Sequence, residues 1–322
     1  MKYREFGRTG WQLSEIGFGA WQLGGTWGKI DDKDSMKTLL YSFEKGINFV
    51  DTAIAYGNGR SESVVGTALK VWSGHKIYIA TKVPPLGTDF QTNNTIRGRY
   101  PANYVRKHVE ESLKRLGTDT IDLLQLHLWI EDGTTNFDWL EGLMPLVDEG
   151  KIKSFGVSLA DIKPHEGVLL AKSGIVCSQQ VIYNLFEQEP SNELFREGEK
   201  TKTAFIARVP FDSGALTGTW NEDTYDQWDK DDKRYQMYRD GRFIETLARV
   251  NALKELCSVY YQSLAEAAMR FSLADSAVST VVCGMRNETE VDMNIAYSDG
   301  KPFDKELLEK VKEHEWKHMF YK

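Results

Sequence analysis

Four side chains at the ends of predicted strands have the chemistry of a proton-transfer site. Asp51, Lys82 and His127 each end a short apolar run, and Tyr56 lies just after Asp51. These runs are consecutive in the chain, and the ends of consecutive strands lie side by side in a parallel barrel. We therefore expect the four side chains to converge.

Each member of this set has a defined chemical part. A tyrosine hydroxyl has an ordinary pKa of about 10 and is a weak acid–base near neutral pH. The ammonium of Lys82 beside it would lower the pKa of Tyr56. A buried ammonium needs a carboxylate partner, which Asp51 can supply. His127 can hydrogen-bond a substrate oxygen and hold it for proton transfer.

Each residue also has an ordinary structural interpretation. A strand-end aspartate is often a cap or loop anchor, and a tyrosine before Gly-Asn-Gly can be a turn aromatic. A lysine at a strand end often extends to solvent, and a histidine after an apolar run is often a core residue. Their combination on consecutive strand ends favours the catalytic interpretation.

The elements that would position these residues alternate between short apolar runs and helical patterns. Runs without clean polar alternation are typical of a sheet that is buried on both faces. Eight such units fit an open doubly wound sheet or a closed (β/α)₈ barrel, and eight units in about 300 residues favour the barrel. The predicted strands are 16–20, 47–51, 77–82, 121–127, 152–157, 177–182, 204–208 and 279–283. The predicted helices are 34–45 with Asp34 as its cap, 61–71, 102–116, 136–149, 163–173, 191–201, 243–257, 262–273, 287–297 and 304–318.

The predicted fold class is therefore α/β: a (β/α)₈ TIM barrel with an N-terminal β-hairpin and C-terminal helices. The hairpin would join residues 2–6 and 11–14 and could plug the lower mouth of the barrel. No linker or shift in composition divides the chain, so we predict one domain over residues 1–322.

Composition excludes several classes of protein. The net charge of −7 disfavours a nucleic-acid or anionic-membrane partner. The three cysteines form no Cys-x-x-Cys pair, which argues against a disulfide framework or zinc site and favours a reducing compartment. The N-terminus has no apolar signal region, and no run approaches the ~20 apolar residues of a membrane helix. We expect a cytoplasmic protein.

Several segments resemble the aldo-keto reductase family in order along nearly the whole chain. The most specific is GINFVDTAIAYGNGRSESVVGTAL at 46–69; others are IYIATKV (77–83), DTIDLLQLH (119–127), GKIKSFGVS (150–158), QQVIYN (179–184) and 278–294. The family's catalytic tetrad falls on Asp51, Tyr56, Lys82 and His127. The resemblance implies an NAD(P)(H)-dependent reductase of aldehydes, ketones or sugars, with Tyr56 as the general acid.

The resemblance also implies where the cofactor binds. Ser158 and Gln180 match positions that hold the nicotinamide carboxamide, while Leu159 stands where the family often has Asn. Arg208 replaces the aromatic residue that stacks on the nicotinamide in many members. The pyrophosphate loop matches Pro210, Phe211, Ser213, Gly214 and Leu216, and the adenosine end matches Gly284, Arg286, Glu290 and Asn294. Because Arg286 could read a 2′-phosphate, we expect NADP(H) in preference to NAD(H).

The substrate would be a small carbonyl compound or sugar, bound against aromatic side chains. Candidates in loops on the catalytic face are Trp21, Trp27, Trp129 and Trp220. The amide-rich loop 86–100 would suit a polyol, and the long loop 217–242 is either a lid or a solvated excursion. Nothing in the sequence predicts the oligomeric state.

Two other classes remain open at this stage. A regulatory barrel that binds a partner and turns over slowly would keep the same fold, and measurable turnover would distinguish it. A metal-dependent hydrolase would need clustered ligands at strand ends, and only His127 of the six histidines ends a strand.

Overall fold

Eight parallel strands close into a barrel, as the sequence predicts. The computed structural model describes residues 1–25, 31–87 and 94–318. Each barrel strand pairs with its neighbours in chain order, and the last strand closes against the first. The barrel strands are β3 (Ile16–Gly19), β4 (Phe49–Asp51), β5 (Tyr78–Val83), β6 (Ile121–Trp129), β7 (Ile152–Leu159), β8 (Ser178–Ile182), β9 (Ala204–Arg208) and β10 (Val278–Cys283).

Helices surround the barrel, and most of them lie near the positions that the sequence predicts. They are α1 (Asp32–Glu44), α2 (Arg60–Val71), α3 (Ala102–Leu116), α4 (Asp138–Asp148), α5 (Val168–Ser173), α6 (Leu194–Thr201), α7 (Lys233–Met237), α8 (Arg242–Cys257), α9 (Leu264–Ala274), α10 (Glu288–Ala296) and α11 (Lys305–Val311). None of the helices in the described ranges has the combined length and apolar character that a bilayer crossing requires.

The start of α1 differs from the prediction. Asp31, not Asp34, is the N-cap, and its side chain accepts a hydrogen bond from the Lys33 N–H. Asp34 lies inside the first turn, where its charge still suits the positive end of the helix dipole. Several aspartates lie close together here, and each has the side chain of a cap, so the sequence pattern does not select one.

Two helices predicted as single elements are broken. The predicted helix 163–173 begins with a 3₁₀ turn, Pro164–Gly167, before α5. The predicted helix 304–318 ends early, because α11 stops at Val311 and a 3₁₀ turn follows at Lys312–His314. The chain beyond that turn is extended and packs against the barrel beside the candidate site.

The N-terminal hairpin consists of β1 (Tyr3–Glu5) paired antiparallel with β2 (Gln12–Ser14). Phe6 is fully buried, and its ring centroid lies 6.1 Å from that of Phe49 at the start of a barrel strand. The Trp11 ring stacks on that of Tyr78, with their centroids 5.1 Å apart. The hairpin therefore covers the amino-terminal mouth of the barrel. A functional site is therefore expected at the carboxyl ends of the strands, at the opposite mouth of the barrel.

Candidate active site

The four predicted residues meet at the carboxyl end of the barrel. The fully buried Lys82 ammonium donates to Asp51 Oδ2 at 2.6 Å, to the Thr52 carbonyl at 2.9 Å and to the Tyr56 hydroxyl at 3.1 Å. An ammonium has three N–H donors, and each has a partner here. The His127 ring lies edge-on to the Tyr56 ring, with their centroids 5.9 Å apart.

Asp51 is held from its other side by two amides. Its Oδ1 accepts from Gln125 Nε2 at 3.1 Å and from Gln180 Nε2 at 2.9 Å. Gln125 was not predicted as a site residue, although a glutamine inside the apolar run of β6 is a usable signal. Its position opposite Lys82 in the parallel ladder directs it to the same carboxylate. The carboxylate is therefore fixed by three donors from three strands.

Burial sets the protonation of Tyr56 more strongly than its neighbours do. Burial raises the pKa of the Tyr56 hydroxyl, and Lys82 and Arg208 lower it only in part. The expectation of a net lowered pKa is therefore wrong, although Lys82 acts in the expected direction. At neutral pH Tyr56 is the protonated acid.

The two nitrogen bases of the set, Lys82 and His127, differ in charge. Burial lowers the pKa of Lys82, but Asp51 and Tyr56 outweigh it and the net pKa is raised, so the ammonium stays charged. Burial lowers the pKa of His127 well below its ordinary value, and Lys82 and Arg208 add to the effect. His127 is thus a neutral imidazole that can donate one N–H.

A cavity of about 1340 Å³ opens over these groups. It exceeds the ~300–1,000 Å³ of an ordinary small-molecule pocket, so it has room for a cofactor together with a substrate. Trp21 lines it, with its ring centroid 5.4 Å from that of Tyr56. The predicted cofactor residues that also line it are Ser158, Gln180, Arg208, Pro210, Phe211, Ser213, Gly214, Gly284, Arg286, Glu290 and Asn294.

Comparison with known proteins shows the family of the chain. The model of the family described as "Aldo/keto reductase family" matches residues 15–315. The chain belongs to the aldo/keto reductase family. It is 32% identical over 295 residues to the aldo-keto reductase YhdN of Bacillus subtilis (strain 168), covering 91% of this chain and 87% of that protein.

Solved structures of the family share the whole architecture. The holo form of aldo-keto reductase AKR11C1 from Bacillus halodurans has a TM-score of 0.78 and 26% identity, covering 100% of this chain and 99% of that one. Glycerol dehydrogenase AKR11B4 from Gluconobacter oxydans also has a TM-score of 0.78, with 28% identity and coverage of 97% and 94%.

The segment that resembles the family's pyrophosphate loop has an unusual backbone. Val209, Asp212 and Ser213 have positive φ angles of 59°, 42° and 57°, and Gly214 follows at 106°. Positive φ is costly for a β-branched residue such as Val209. Strained residues of this kind cluster at ligand sites, where surrounding contacts impose them. Leu216 does not line the cavity; it is buried, and its N–H bonds to the Phe211 carbonyl.

Contacts from distant parts of the chain hold this loop in place. Asn184 Nδ2 donates to the Val209 carbonyl at 2.9 Å, and the Tyr238 hydroxyl donates to the Asp212 carbonyl at 3.1 Å. His318, in the extended C-terminal segment, places Nε2 3.1 Å from Asp212 Oδ1. None of these partners was predicted as a site residue, because each lies far away in sequence.

The residues at the predicted adenosine end line the cavity. A side chain at Gly284 would place its Cβ 3.0 Å from Gln22 Oε1, so glycine keeps that wall open. Arg286 is exposed but donates from Nη2 to Glu290 Oε1 at 2.9 Å and from Nε to the same oxygen at 3.1 Å. The cation expected to read a phosphate thus carries a carboxylate partner.

Arg208 is fixed beside the predicted nicotinamide position. Its Nη2 donates to Asp161 Oδ1 at 2.6 Å and to the Leu159 carbonyl at 3.1 Å. Asp161 is a further residue that the sequence analysis missed. The guanidinium plane is held by these contacts, as a stacking surface requires.

The tryptophans predicted to bind substrate have different environments. Trp129 lines the cavity but is fully buried, and its Nε1 donates to the Glu166 carbonyl at 3.1 Å. Trp220 packs in an aromatic cluster with Trp228, Tyr238 and Phe243 and is not among the lining residues. Trp27 lies outside the described residues.

The described residues contain no group of three or more His, Cys, Asp and Glu side chains that could hold a metal ion. The ligand set that a metal-dependent barrel hydrolase needs is therefore missing from this part of the chain.

Proposed function

We propose that the protein is an NADP(H)-dependent oxidoreductase. It reduces an aldehyde, ketone or sugar carbonyl, or oxidises the corresponding alcohol, with Tyr56 as the general acid or base. The observation that carries this proposal is the buried chain from Asp51 through Lys82 to Tyr56, with contacts of 2.6 and 3.1 Å, in the wall of a large cavity.

In the reducing direction Tyr56 donates its proton to the carbonyl oxygen. The phenolate that forms lies 3.1 Å from the Lys82 ammonium, which stabilises the developing charge at this buried position. The neutral His127 donates an N–H to the same oxygen and orients it. When bound, the nicotinamide supplies the hydride in reduction and accepts it in oxidation.

The residues that would hold the cofactor are part of the cavity lining. Ser158 and Gln180 would hold the carboxamide, and Arg208 would lie against the ring. The strained segment 209–214 would bind the pyrophosphate through its backbone N–H groups. Gly284, Arg286, Glu290 and Asn294 would receive the adenosine half.

The preference for NADP(H) depends on Arg286, and the ion pair with Glu290 provides its test. A 2′-phosphate must compete with the Glu290 carboxylate for the guanidinium. Arg286→Ala should weaken NADPH binding by about tenfold or more and leave NADH binding nearly unchanged, since a charge-assisted contact is worth ~1.5–3 kcal/mol.

Glu290→Gln is the matched variant for this test. It removes the competing charge and should tighten NADPH without affecting NADH. Equal changes for both cofactors, measured by quenching of tryptophan fluorescence, would show that the Arg286–Glu290 pair does not select the cofactor and would leave NAD(H) as the alternative.

The proposed reaction is tested with a panel of aldehydes, ketones and sugars, following cofactor absorbance with NADPH and NADH in parallel. We expect steady-state turnover with at least one carbonyl class. Cofactor binding without turnover on the whole panel would instead favour a slow regulatory barrel of the same family. A cytoplasmic location remains a prediction, supported by the three buried, unpaired cysteines.

A further inference from the structure

Among the described residues, each charged side chain that lines the cavity has an ion-pair partner, in the lining or just behind it, apart from one. The ion pairs are Asp51 with Lys82, Asp161 with Arg208, Lys163 with Glu166, Arg234 with Asp232, and Arg286 with Glu290. Within the described ranges, Lys233 is the lining residue whose charge has neither an ion pair nor a hydrogen bond. Among the described residues, Lys233 therefore brings to the cavity a cation with no ion-pair partner.

Lys233 is held over an aromatic ring at the entrance to the site. It is the first residue of α7, and its Nζ lies 4.7 Å from the ring centroid of Trp21. Its neighbour Asp232 is occupied by Arg234, with contacts of 2.6 and 3.0 Å, and is not available to it. Lys233 is half-buried, and burial lowers its pKa while Asp161 partly opposes the shift.

The position of this ammonium relative to the reacting groups is defined by the aromatic rings. The Trp21 ring contacts both groups, because its centroid lies 5.4 Å from that of Tyr56 and 4.7 Å from the Lys233 Nζ. A carbonyl held by Tyr56 and His127 would therefore lie near the same indole ring as the unpaired ammonium of Lys233. An ammonium that is partly desolvated and unpaired binds an anion more strongly than a fully hydrated one does.

We propose that Lys233 binds an anionic group of the substrate, a carboxylate or phosphate a few bonds from the carbonyl. The proposal rests on the function proposed above and narrows its substrate class to acidic aldehydes, ketones or sugars. The long segment 217–242 then contributes to specificity, because its cation completes the substrate pocket beside Trp21.

The same ammonium could serve a phosphate of the cofactor, and the experiment separates the two sources. The variant Lys233→Gln is assayed with two matched substrate pairs: glyceraldehyde with glyceraldehyde 3-phosphate, and butanal with 4-oxobutanoate. Affinities for NADPH and NADH are measured on the same preparations by fluorescence quenching. Lys230→Gln, an exposed lysine of the same segment, is the control variant.

We expect the unaltered protein to favour at least one acidic member over its neutral partner. In Lys233→Gln the KM for that acidic member should rise about tenfold or more, the loss expected for one charge-assisted contact. The neutral members and both cofactor affinities should stay close to their original values, Lys230→Gln should change nothing, and Lys233→Arg should retain the preference.

Four results would overturn the proposal, and they differ from one another. Equal losses for acidic and neutral members would show that Lys233 does not read the anionic group. A loss confined to cofactor affinity would assign the ammonium to a cofactor phosphate. Reduction of neutral members without any preference for acidic ones would refute this inference alone, whereas no reduction of any member would refute the proposed function with it.

Discussion

At the scale of single residues, the proposed chemistry depends on one ammonium shared by an acid and a carboxylate. Lys82 contacts both Asp51 and Tyr56, so it can tune the tyrosine, brace the barrel, or do both. Because burial already raises the pKa of Tyr56 and Lys82 opposes that rise, removing the ammonium should raise the pKa further.

The variant Lys82→Met separates these possibilities through the pH dependence of the rate. Reduction needs Tyr56 protonated, so its falling alkaline limb should move to higher pH, and the maximum rate should drop about 10²-fold or more as the phenolate loses its partner. Oxidation needs the proton to leave Tyr56, so its rising limb should also move to higher pH. Both limbs are measured in pH–rate profiles of kcat.

Asp51→Asn serves as the companion variant, because it removes the partner of Lys82 but keeps the ammonium near Tyr56. It should weaken activity less than Lys82→Met does. A folded, cofactor-binding Lys82→Met protein with unmoved pH midpoints would show that Lys82 only braces the barrel.

At the scale of elements, the strained loop 209–214 is fastened by the C-terminal segment. His318 is buried beside Asp212 and Glu187, with Nε2 3.1 Å from Asp212 Oδ1 and Nδ1 3.8 Å from Glu187 Oε1. Burial disfavours the protonated form of His318, but the two carboxylates and the Trp316 carbonyl outweigh it and raise the pKa of His318 to about 9. The imidazolium therefore clamps the loop at neutral pH.

Loss of this clamp should destabilise the protein in a pH-dependent way. His318→Gln should lower the free energy of unfolding at pH 6–7 by roughly 3 kcal/mol, the scale for breaking a buried pair. A raised pKa gives stability that is complete below the unfolded value of ~6.5 and is lost as pH rises through about 9. Denaturant titrations of both proteins should therefore differ less at pH 10.

The neighbouring Glu187 acts in the same direction. Burial raises its pKa to about 7, so the folded protein holds a proton that the unfolded chain releases, and stability again falls as pH rises. His165→Gln is the control, since His165 is an exposed histidine that lies 3.4 Å from Glu189. A destabilisation by His318→Gln that is the same at pH 7 and pH 10 would refute the charged clamp.

Which elements could be predicted from sequence follows from the range of the forces involved. The helix α3 begins and ends where the sequence predicts, because Pro101 precedes it and Gly117 ends it in the left-handed conformation. The tetrad was predictable because Asp51, Lys82 and His127 each end a local apolar run and Tyr56 closely follows Asp51. The anchor Gln125 was marked only by its place inside an apolar run, and Asp161 and His318 were marked by no local pattern, since their partners lie on other elements.

At the scale of the whole molecule, the hairpin and the tetrad occupy opposite ends of the barrel. The hairpin closes the amino-terminal mouth with Phe6 and Trp11, and the tetrad lies at the carboxyl ends of the strands. Because Lys82 keeps its bonds to Asp51 and to the Thr52 carbonyl when the Tyr56 hydroxyl is removed, the variant should leave the fold and the cofactor site intact.

The central claim is that Tyr56 transfers the proton, and Tyr56→Phe tests it most directly. Single-turnover reduction is followed by cofactor absorbance in the unaltered protein and the variant, with cofactor affinity measured on the same samples. We predict a rate lowered by about 10²–10⁴-fold, as for loss of a general acid, with nearly unchanged cofactor affinity. A variant that binds cofactor and reduces substrate within a few-fold of the original rate would contradict the account.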